Sequence, residues 1–235
     1  MVENKTKTKI IATIGPSCFD YSTLKKMHLA GMTFARINTK YASMKEIIDI
    51  KKMLDGIGSH LIVDLLNYGS LKRIDGLDID YFALSFTESS KQIKQIRKYF
   101  PNKKIFIIAK IESKKGINNI KEIINESDGI MVARGDLGKH IAIEKLPIFQ
   151  KIILKQCKKK RKMGITATEM LLSMTKSKVP ERSEATDVAN AVIDGSQAVM
   201  LSEETAIGKY PVLAVKTMKS IIAETEKYMA KNNLR

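Results

Sequence analysis

The stretch Lys104-Ile-Phe-Ile-Ile-Ala-Lys-Ile-Glu-Ser113 decides the fold, because it combines a buried strand with a charged end. Its isoleucine-rich part is typical of a strand that is covered on both faces of a parallel sheet. Lys110 and Glu112 are two residues apart, so they share one face of that strand. The later stretch Ala133-Arg-Gly-Asp-Leu-Gly138 also follows an apolar run and carries charge. We therefore expect a lysine and two carboxylates, Glu112 and Asp136, to converge, a set that suits an anionic substrate held through Mg²⁺.

The same alternation of strand and helix patterns runs along the whole chain. Strands are predicted at 9–14, 33–38, 60–65, 81–86, 104–111, 129–133, 164–168 and 198–202. Helices are predicted at about 21–30, 43–56, 71–77, 89–100, 116–127, 144–160, 183–194 and 211–229. Strict alternation implies parallel strands joined by right-handed crossovers. The prediction is one α/β domain over residues 1–235, folded as a (β/α)₈ TIM barrel.

A doubly wound open sheet is the alternative architecture for this alternation. Such a sheet usually carries a glycine-rich first turn. The corresponding turn here, Thr13-Ile-Gly-Pro-Ser17, does not have the GxGxxG pattern, which favours the barrel.

Composition describes an ordinary globular chain with a basic excess. The 235 residues are 44% hydrophobic and 28% charged, with a formal charge of +16. The densest basic run, 158–162, has no interleaved aromatic residues, which argues against nucleic acid as a partner. The chain has no apolar run of membrane-spanning length and no signal-peptide core, so we expect no membrane contact and a cytoplasmic location. Cys18 and Cys157 lack CxxC spacing and suggest neither a disulfide framework nor a zinc site.

In a barrel of this type, the chemistry lies at the carboxyl ends of the strands. Polar or charged residues close almost every predicted strand: Thr13, Arg36, Asn38, Asp64, Ser85, Lys110, Glu112, Arg134, Asp136, Thr168, Ser202 and Glu204. Strands also end in polar residues simply because loops begin there. That explanation accounts poorly for Lys110, which lies between Ala109 and Ile111.

Several short motifs resemble, in their order along the chain, those of pyruvate kinase. They are Thr13-Ile-Gly-Pro16, Ala35-Arg-Ile-Asn38, Lys110-Ile-Glu112, Met131-Val-Ala-Arg-Gly-Asp-Leu-Gly138, Ala167-Thr-Glu-Met-Leu171, Asp187-Val-Ala-Asn-Ala-Val192 and Met200-Leu-Ser-Glu-Glu-Thr205. The resemblance covers nearly the whole chain. It implies phosphoryl transfer from phosphoenolpyruvate to ADP, giving pyruvate and ATP by way of an enolate.

The resemblance also implies which residues are catalytic. Lys110 resembles the lysine that neutralises the phosphoryl group during transfer. Arg36 resembles a contact to the phosphates of substrate and nucleotide, where a guanidinium matches the oxygens. Thr168 resembles a residue that binds substrate and relays a proton to the enolate.

Metal and carboxylate sites follow from the same resemblance. Glu112 and Asp136 resemble the ligands of Mg²⁺ or Mn²⁺. Gly135 and Asp136 open a short helix whose N–H groups would receive the substrate carboxylate. Asn38 resembles a nucleotide contact, and Asn38 and Asp64 together resemble the site of a monovalent cation.

The chain departs from the family after its third strand. There the family leads into an inserted β-domain that closes over the nucleotide, whereas here Asp64 is followed by Leu65-Leu-Asn-Tyr-Gly-Ser70 and soon by the fourth strand. We expect this lid domain and the carboxyl-terminal regulatory domain to be absent. An open site holds ADP less firmly and excludes water less well.

Other departures lie at the mouth of the predicted barrel. Lys40 stands where a K⁺-coordinating serine is expected, and one hypothesis places its ammonium between Asn38 and Asp64, which would make K⁺ dispensable. The alternative is that Lys40 points to solvent. Acidic residues at 88, 169 and 203 replace an arginine, a glutamine and a glycine of the family and disfavour approaching phosphates.

Three interpretations of function remain open at this level. The leading one is a minimal pyruvate kinase-like phosphotransferase that binds phosphoenolpyruvate or a related 2-keto acid and ADP or ATP. The second keeps only metal-enolate chemistry, such as keto-acid enolisation or oxaloacetate decarboxylation. The third is a non-catalytic relative that acts as a binding partner. The resemblance also makes a homodimer through the barrel plausible.

Overall fold

A computed structural model describes residues 6–74 and 76–233, with the Arg73 side chain left out. Eight parallel strands close into a barrel in sequence order, and β8 pairs with β1. The strands are β1 Lys9–Thr13, β2 Phe34–Asn38, β3 His60–Leu65, β4 Tyr81–Leu84, β5 Phe106–Ile111, β6 Gly129–Ala133, β7 Met163–Ala167 and β8 Ala198–Leu201. The predicted single-domain (β/α)₈ barrel is therefore confirmed.

Helices surround the barrel between the strands. They are α1 Tyr21–Ala30, α2 Met44–Asp55, α3 Ser90–Tyr99, α4 Lys114–Asn118, α5 Ile120–Glu126, α6 Arg134–His140, α7 Leu146–Lys159, α8 Arg182–Ile193, α9 Glu203–Ala206 and α10 Pro211–Lys231. Several begin at side-chain caps that satisfy free backbone N–H groups. Asp20 accepts from Thr23 N at the start of α1, and Ser43 forms a reciprocal capping box with Glu46 at the start of α2.

The barrel interior and the layer outside it are separate hydrophobic cores. The interior is filled by Ile11, Phe34, Ile62, Ala83, Ile108, Met131, Ile165, Ala167, Ala198 and Met200. Their strand neighbours, such as Ile107 and Ala109 around Ile108, face outward and pack under the helices. This period of two explains why the strands read as continuous apolar runs: both faces are buried.

The inward rows become polar at the carboxyl ends of the strands. Along a strand, every second residue faces the barrel interior. Lys110 is therefore the next inward-facing residue after Ile108, and Asp64 is the next after Ile62. Arg36 and Ser85 follow Phe34 and Ala83 in the same way. The layer nearest the carboxyl mouth therefore collects charge by the geometry of the strands alone.

The structure corrects several predicted boundaries. Strand β7 ends at Ala167, because Thr168 adopts a left-handed backbone with φ +73°. Strand β4 ends at Leu84, and Phe86 also has a positive φ of +47°. The helix predicted at 116–127 is two helices, α4 and α5, and the helix predicted near 71–77 is a 3₁₀ segment at Tyr68–Ile74. Residue 75, within the predicted helix 71–77, lies outside the described residues.

Within residues 6–74 and 76–233, none of the helices combines the length and apolar content needed to cross a membrane. The cytoplasmic location expected from the sequence stays a prediction.

Candidate active site

Lys110 is the centre of a buried polar cluster at the carboxyl mouth of the barrel. Lys110 is only 5% exposed to solvent. The ammonium lies 2.8 Å from Ser85 Oγ, 3.0 Å from Asp64 Oδ2 and 3.1 Å from Glu112 Oε1. These partners lie in or directly after three adjacent strands, β3 to β5. A buried ammonium is stable only when it is paired in this way, so the partners fix its position.

Asp64 joins Lys110 to Arg36. Oδ2 of Asp64 accepts from Nε and Nη2 of Arg36 at 2.8 and 2.6 Å, and Nη1 of Arg36 donates to Thr13 Oγ1 at 3.1 Å. Burial pushes the pKa of Asp64 upward, but the charges of Arg36 and Lys110 outweigh it and hold the pKa below its usual value. Asp64 is therefore ionised, and the two cations stay paired.

The two predicted magnesium ligands follow adjacent strands but differ in exposure. Glu112 is 2% exposed, and its Oε2 accepts from the N–H of Phe86 at 2.6 Å. Asp136 lies in α6 after strand β6, where its Oδ1 meets the exposed Lys139 at 2.9 Å.

The donors present fit Mg²⁺, which takes one or two protein carboxylates and fills its remaining positions with substrate oxygens and water. Among the described residues, no cluster of three metal-binding side chains occurs. Glu112 and Asp136 are carboxylates of the kind such a site uses, and their assignment as its ligands stays a prediction.

Thr168 and Gly135 are in contact through a hydrogen bond. The Gly135 N–H donates to Thr168 Oγ1 at 2.8 Å, and that hydroxyl donates to the carbonyl of Ala167 at 2.5 Å. Arg134 stabilises the loop that contains Thr168. Its guanidinium donates to the Thr168 carbonyl at 2.6 Å and pairs with Asp187 at 2.7 Å. Arg134 is thus structural here, stabilising the strained backbone at Thr168.

The structure does not bring Lys40 between Asn38 and Asp64. Lys40 is exposed, and its Nζ lies 5.2 Å from the centre of the Tyr41 ring. The Asn38 side-chain carbonyl accepts from the backbone N–H of Lys40 at 2.9 Å. Both oxygens of Asp64 accept hydrogen bonds, from Arg36, Ser85 and Lys110. The dispensability of K⁺ stays a prediction, and this position of Lys40 does not support it.

A cavity of about 470 Å³ opens beside this cluster, between the loops that follow β1, β2 and β8. Arg36 and Asn38, the predicted nucleotide contacts, both line it. Its wall also carries Glu46 and the exposed Glu203. The cavity therefore holds one buried guanidinium and two carboxylates, which is a less favourable setting for phosphates than an all-cationic one.

Ser85 and Glu204 are among the polar strand-end residues noted from the sequence, but neither was assigned a site role there. Ser85 links Lys110 to Asp64, donating to Asp64 Oδ1 at 3.1 Å. Glu204 is fully buried and accepts from the N–H groups of Leu171 and Ser202, so it ties the loop after β7 to the loop after β8. Burial raises the pKa of Glu204. The position of Ser85 two residues beyond the inward Ala83 is the signal that identifies it.

The fold and this cluster define a class of protein: a (β/α)₈ barrel with paired lysine, arginine and carboxylate groups at the carboxyl mouth, suited to an anionic substrate. Residues 66–215 match the family described as the barrel domain of pyruvate kinase. The chain belongs to this family.

Individual relatives agree with that assignment. The pyruvate kinase of Thermococcus litoralis is 51% identical over 152 residues, which cover 64% of this chain and 32% of the relative. The pyruvate kinase of Dictyostelium discoideum is 43% identical over 204 residues, covering 86% of this chain and 36% of the relative. The chain thus spans about a third of the length of these curated relatives.

A third relative shows that some of the length difference is internal to the aligned region. The pyruvate kinase of Staphylococcus haemolyticus is 32% identical over 334 aligned positions, covering 94% of this chain and 57% of the relative. Those 334 positions exceed the 235 residues of this chain by 99, so the relative contains internal segments without a counterpart here. In this chain, residues 66–80 are all that separates β3 from β4.

Proposed function

We propose that this barrel transfers the phosphoryl group of phosphoenolpyruvate to ADP, through an enolate that becomes pyruvate. The observation that carries the proposal is the placement of Lys110, a 5% exposed ammonium held within 3.1 Å of Ser85, Asp64 and Glu112. A fixed cation in a buried site stabilises charge on a transferring phosphoryl group without reorganising during the reaction.

The charges of the site suggest a need for a divalent cation. Arg36 and Lys110 are positive, Asp64 and Glu112 are negative, and they are paired with each other. Because the cluster is close to balanced, an incoming phosphoryl dianion would not find a net positive field. Mg²⁺ at Glu112 and Asp136 would supply this positive charge and polarise substrate oxygens.

The remaining residues would orient the substrate and move a proton. Arg36 presents a guanidinium held by Asp64 and Thr13 toward the 470 Å³ cavity that we assign to the nucleotide. The amino end of α6 at Gly135 would receive the substrate carboxylate. Thr168, bonded to Gly135, would pass a proton to the enolate.

The test is pyruvate formation from phosphoenolpyruvate with Mg²⁺, measured with and without ADP. We expect ADP-dependent pyruvate that is abolished by a chelator. Lys110→Met removes the stabilising ammonium at nearly constant length and should lower the rate by at least about 100-fold.

Lys115→Met is the matched control, because Lys115 is an exposed lysine that pairs with Glu88 at the rim. It should keep the rate within about twofold, since exposed pairs contribute little. ADP-dependent pyruvate from Lys110→Met at the rate of the unmodified chain would overturn the proposal.

A second candidate function is favoured by the short connection between β3 and β4. Residues 66–80 connect β3 to β4, which is too few for a lid domain, and Glu203 lines the cavity that we assign to the nucleotide. Enolisation of a keto acid or decarboxylation of oxaloacetate needs Lys110, the metal and Thr168 but no nucleotide. Mg²⁺-dependent decarboxylation without any ADP-dependent pyruvate would select this candidate.

We also propose that two copies associate through the outer face of the barrel. Ile148 and Ile152 are one helical turn apart on α7 and are exposed, as is Ile143 just before that helix. An exposed apolar strip of this kind is typical of a contact surface. Sedimentation equilibrium would measure the association.

A further inference from the structure

A second cavity, of about 630 Å³, lies at the amino-terminal mouth of the barrel. Lys9, Phe106 and Met163, the first residues of β1, β5 and β7, line it together with Gln197 just before β8. The Lys110 cluster is at the carboxyl mouth, the opposite end of the barrel. We propose that this amino-terminal cavity is a separate binding site for a small anion with an aromatic body, of the aryl phosphate class.

Positive charge dominates the lining of this cavity. Four cationic residues contribute to it: Lys7, Lys9, Lys158 and Arg161. In the part of the chain that the structure describes, none of them forms an ion pair with a carboxylate. An anion that enters the cavity therefore meets cations that have no competing acidic partner.

The two acidic residues of the lining are already engaged. Asp128 pairs with Arg97 at 2.7 Å and accepts from the Ile107 N–H at 2.9 Å. Glu226 accepts from the backbone N–H groups of Lys7 and Thr8 at 2.9 and 2.7 Å, and from the Thr8 hydroxyl at 2.8 Å. These bonds fasten the segment before β1 to α10 and give the cavity a fixed wall.

The turn after α7 places two of the cations on the rim. Arg161 has a left-handed φ of +55°, a conformation that glycine usually adopts after the end of a helix. The turn closes through Arg161 N to Lys158 O at 3.2 Å and Lys162 N to Cys157 O at 2.9 Å. Cations at a helix end also complement the helix dipole. That effect does not account for Lys9, at the start of β1, or for Lys7, just before it.

Apolar side chains form the rest of the wall. Phe106, Met163, Val192 and Met229 contribute to it. The Phe106 ring continues an aromatic cluster inside the barrel, with its centre 5.6 Å from that of Tyr81. Ligand sites of this volume typically combine such apolar walls with a few charged groups, here the four cations.

Phenyl phosphate is the probe, because it combines an aromatic ring with a phosphate dianion. Backbone N–H signals of the ¹⁵N-labelled chain are recorded while phenyl phosphate is added without Mg²⁺, with inorganic phosphate and phenol in parallel titrations. We expect chemical-shift changes at Gly195, Ser196 and Gln197 that saturate with phenyl phosphate. Inorganic phosphate and phenol should each bind at least tenfold more weakly. Shifts confined to Gly135 and Thr168 would mean binding at the other mouth and would overturn the proposal.

The charge requirement is tested with Lys158→Gln/Arg161→Gln. Both residues are exposed, so the substitutions leave the core intact, and they should weaken phenyl phosphate binding at least tenfold. Lys45→Gln/Lys216→Gln removes the same charge from exposed positions outside the cavity and should leave the affinity unchanged. Equal losses in both variants, or shifts that never saturate, would show only diffuse attraction to a basic surface. The outcome is independent of pyruvate formation.

Discussion

At the scale of single residues, the Lys110 cluster depends on one hydroxyl between opposite charges. Ser85 accepts from Lys110 at 2.8 Å and donates to Asp64 at 3.1 Å, so it fixes the lysine relative to the carboxylate. Ser85 is 7% exposed, which leaves little water to replace its bonds.

We predict that Ser85→Ala lowers the free energy of unfolding by about 1–3 kcal/mol, because buried partners lose a hydrogen bond. Urea denaturation followed by circular dichroism measures this. The control is Ser202→Ala, since Ser202 is equally buried and its Oγ has no hydrogen-bond partner among the described residues. That variant should stay within about 0.5 kcal/mol of the unmodified chain. Equal losses in the two variants would contradict the role given to Ser85.

The residue scale also separates what the sequence predicted from what it missed. Lys110 was predicted to be a site residue because a lysine inside a buried, isoleucine-rich strand needs a partner for its charge. Ser85 gave a weaker signal, its position two residues beyond the inward-facing Ala83, because serine is common where loops begin. The arrangement at Lys40 was also beyond the sequence: the direction of an exposed, flexible side chain depends on neighbours such as Tyr41.

At the scale of elements, the loop after β1 and helix α9 approach each other closely. A Cβ built on Gly15 would lie 2.6 Å from the Ala206 carbonyl oxygen. Thr205 and Cys18 reinforce the same contact, since the Thr205 hydroxyl donates to Thr13 O at 2.8 Å and the Cys18 thiol donates to Thr205 O at 3.2 Å. The close approach joins the first and last βα-loops where the barrel closes.

We predict that Gly15→Ala lowers the free energy of unfolding by about 1–3 kcal/mol, because the added methyl group meets backbone that has little room to move. Thermal unfolding measures the loss. Gly138→Ala is the control: its Cβ would lie 3.7 Å from a Leu146 methyl group, an ordinary contact, and it lies within α6. A stable Gly15→Ala protein would show that α9 can shift away from the loop.

At the scale of the whole molecule, the two thiols lie far apart in sequence but are both buried by the closed barrel. Cys18 precedes α1 and Cys157 lies in α7, and they are 0% and 1% exposed. Burial raises the pKa of Cys18 to about 11 and that of Cys157 to about 12. Both thiols are therefore protonated and shielded at neutral pH.

We predict that iodoacetamide at pH 8 leaves both cysteines unmodified in the folded chain. Both should become reactive at the same urea concentration, because β8–β1 pairing makes the barrel one cooperative unit. Mass spectrometry of alkylated peptides across a urea series gives the two midpoints. Alkylation of Cys157 at clearly lower urea than Cys18 would indicate that α7 opens separately.

The sequence by itself determined the barrel, because parallel strands covered on both faces must read as apolar runs and helices must alternate with them. It also determined that Lys110 and Glu112 share a face, since this follows from a period of two. Only the tertiary structure decided which residues meet across strands, such as Ser85 with Lys110 or Glu204 with Leu171, and where φ becomes positive at Thr168. Those features depend on strand register and loop packing, which bring together residues that have no local relation along the chain.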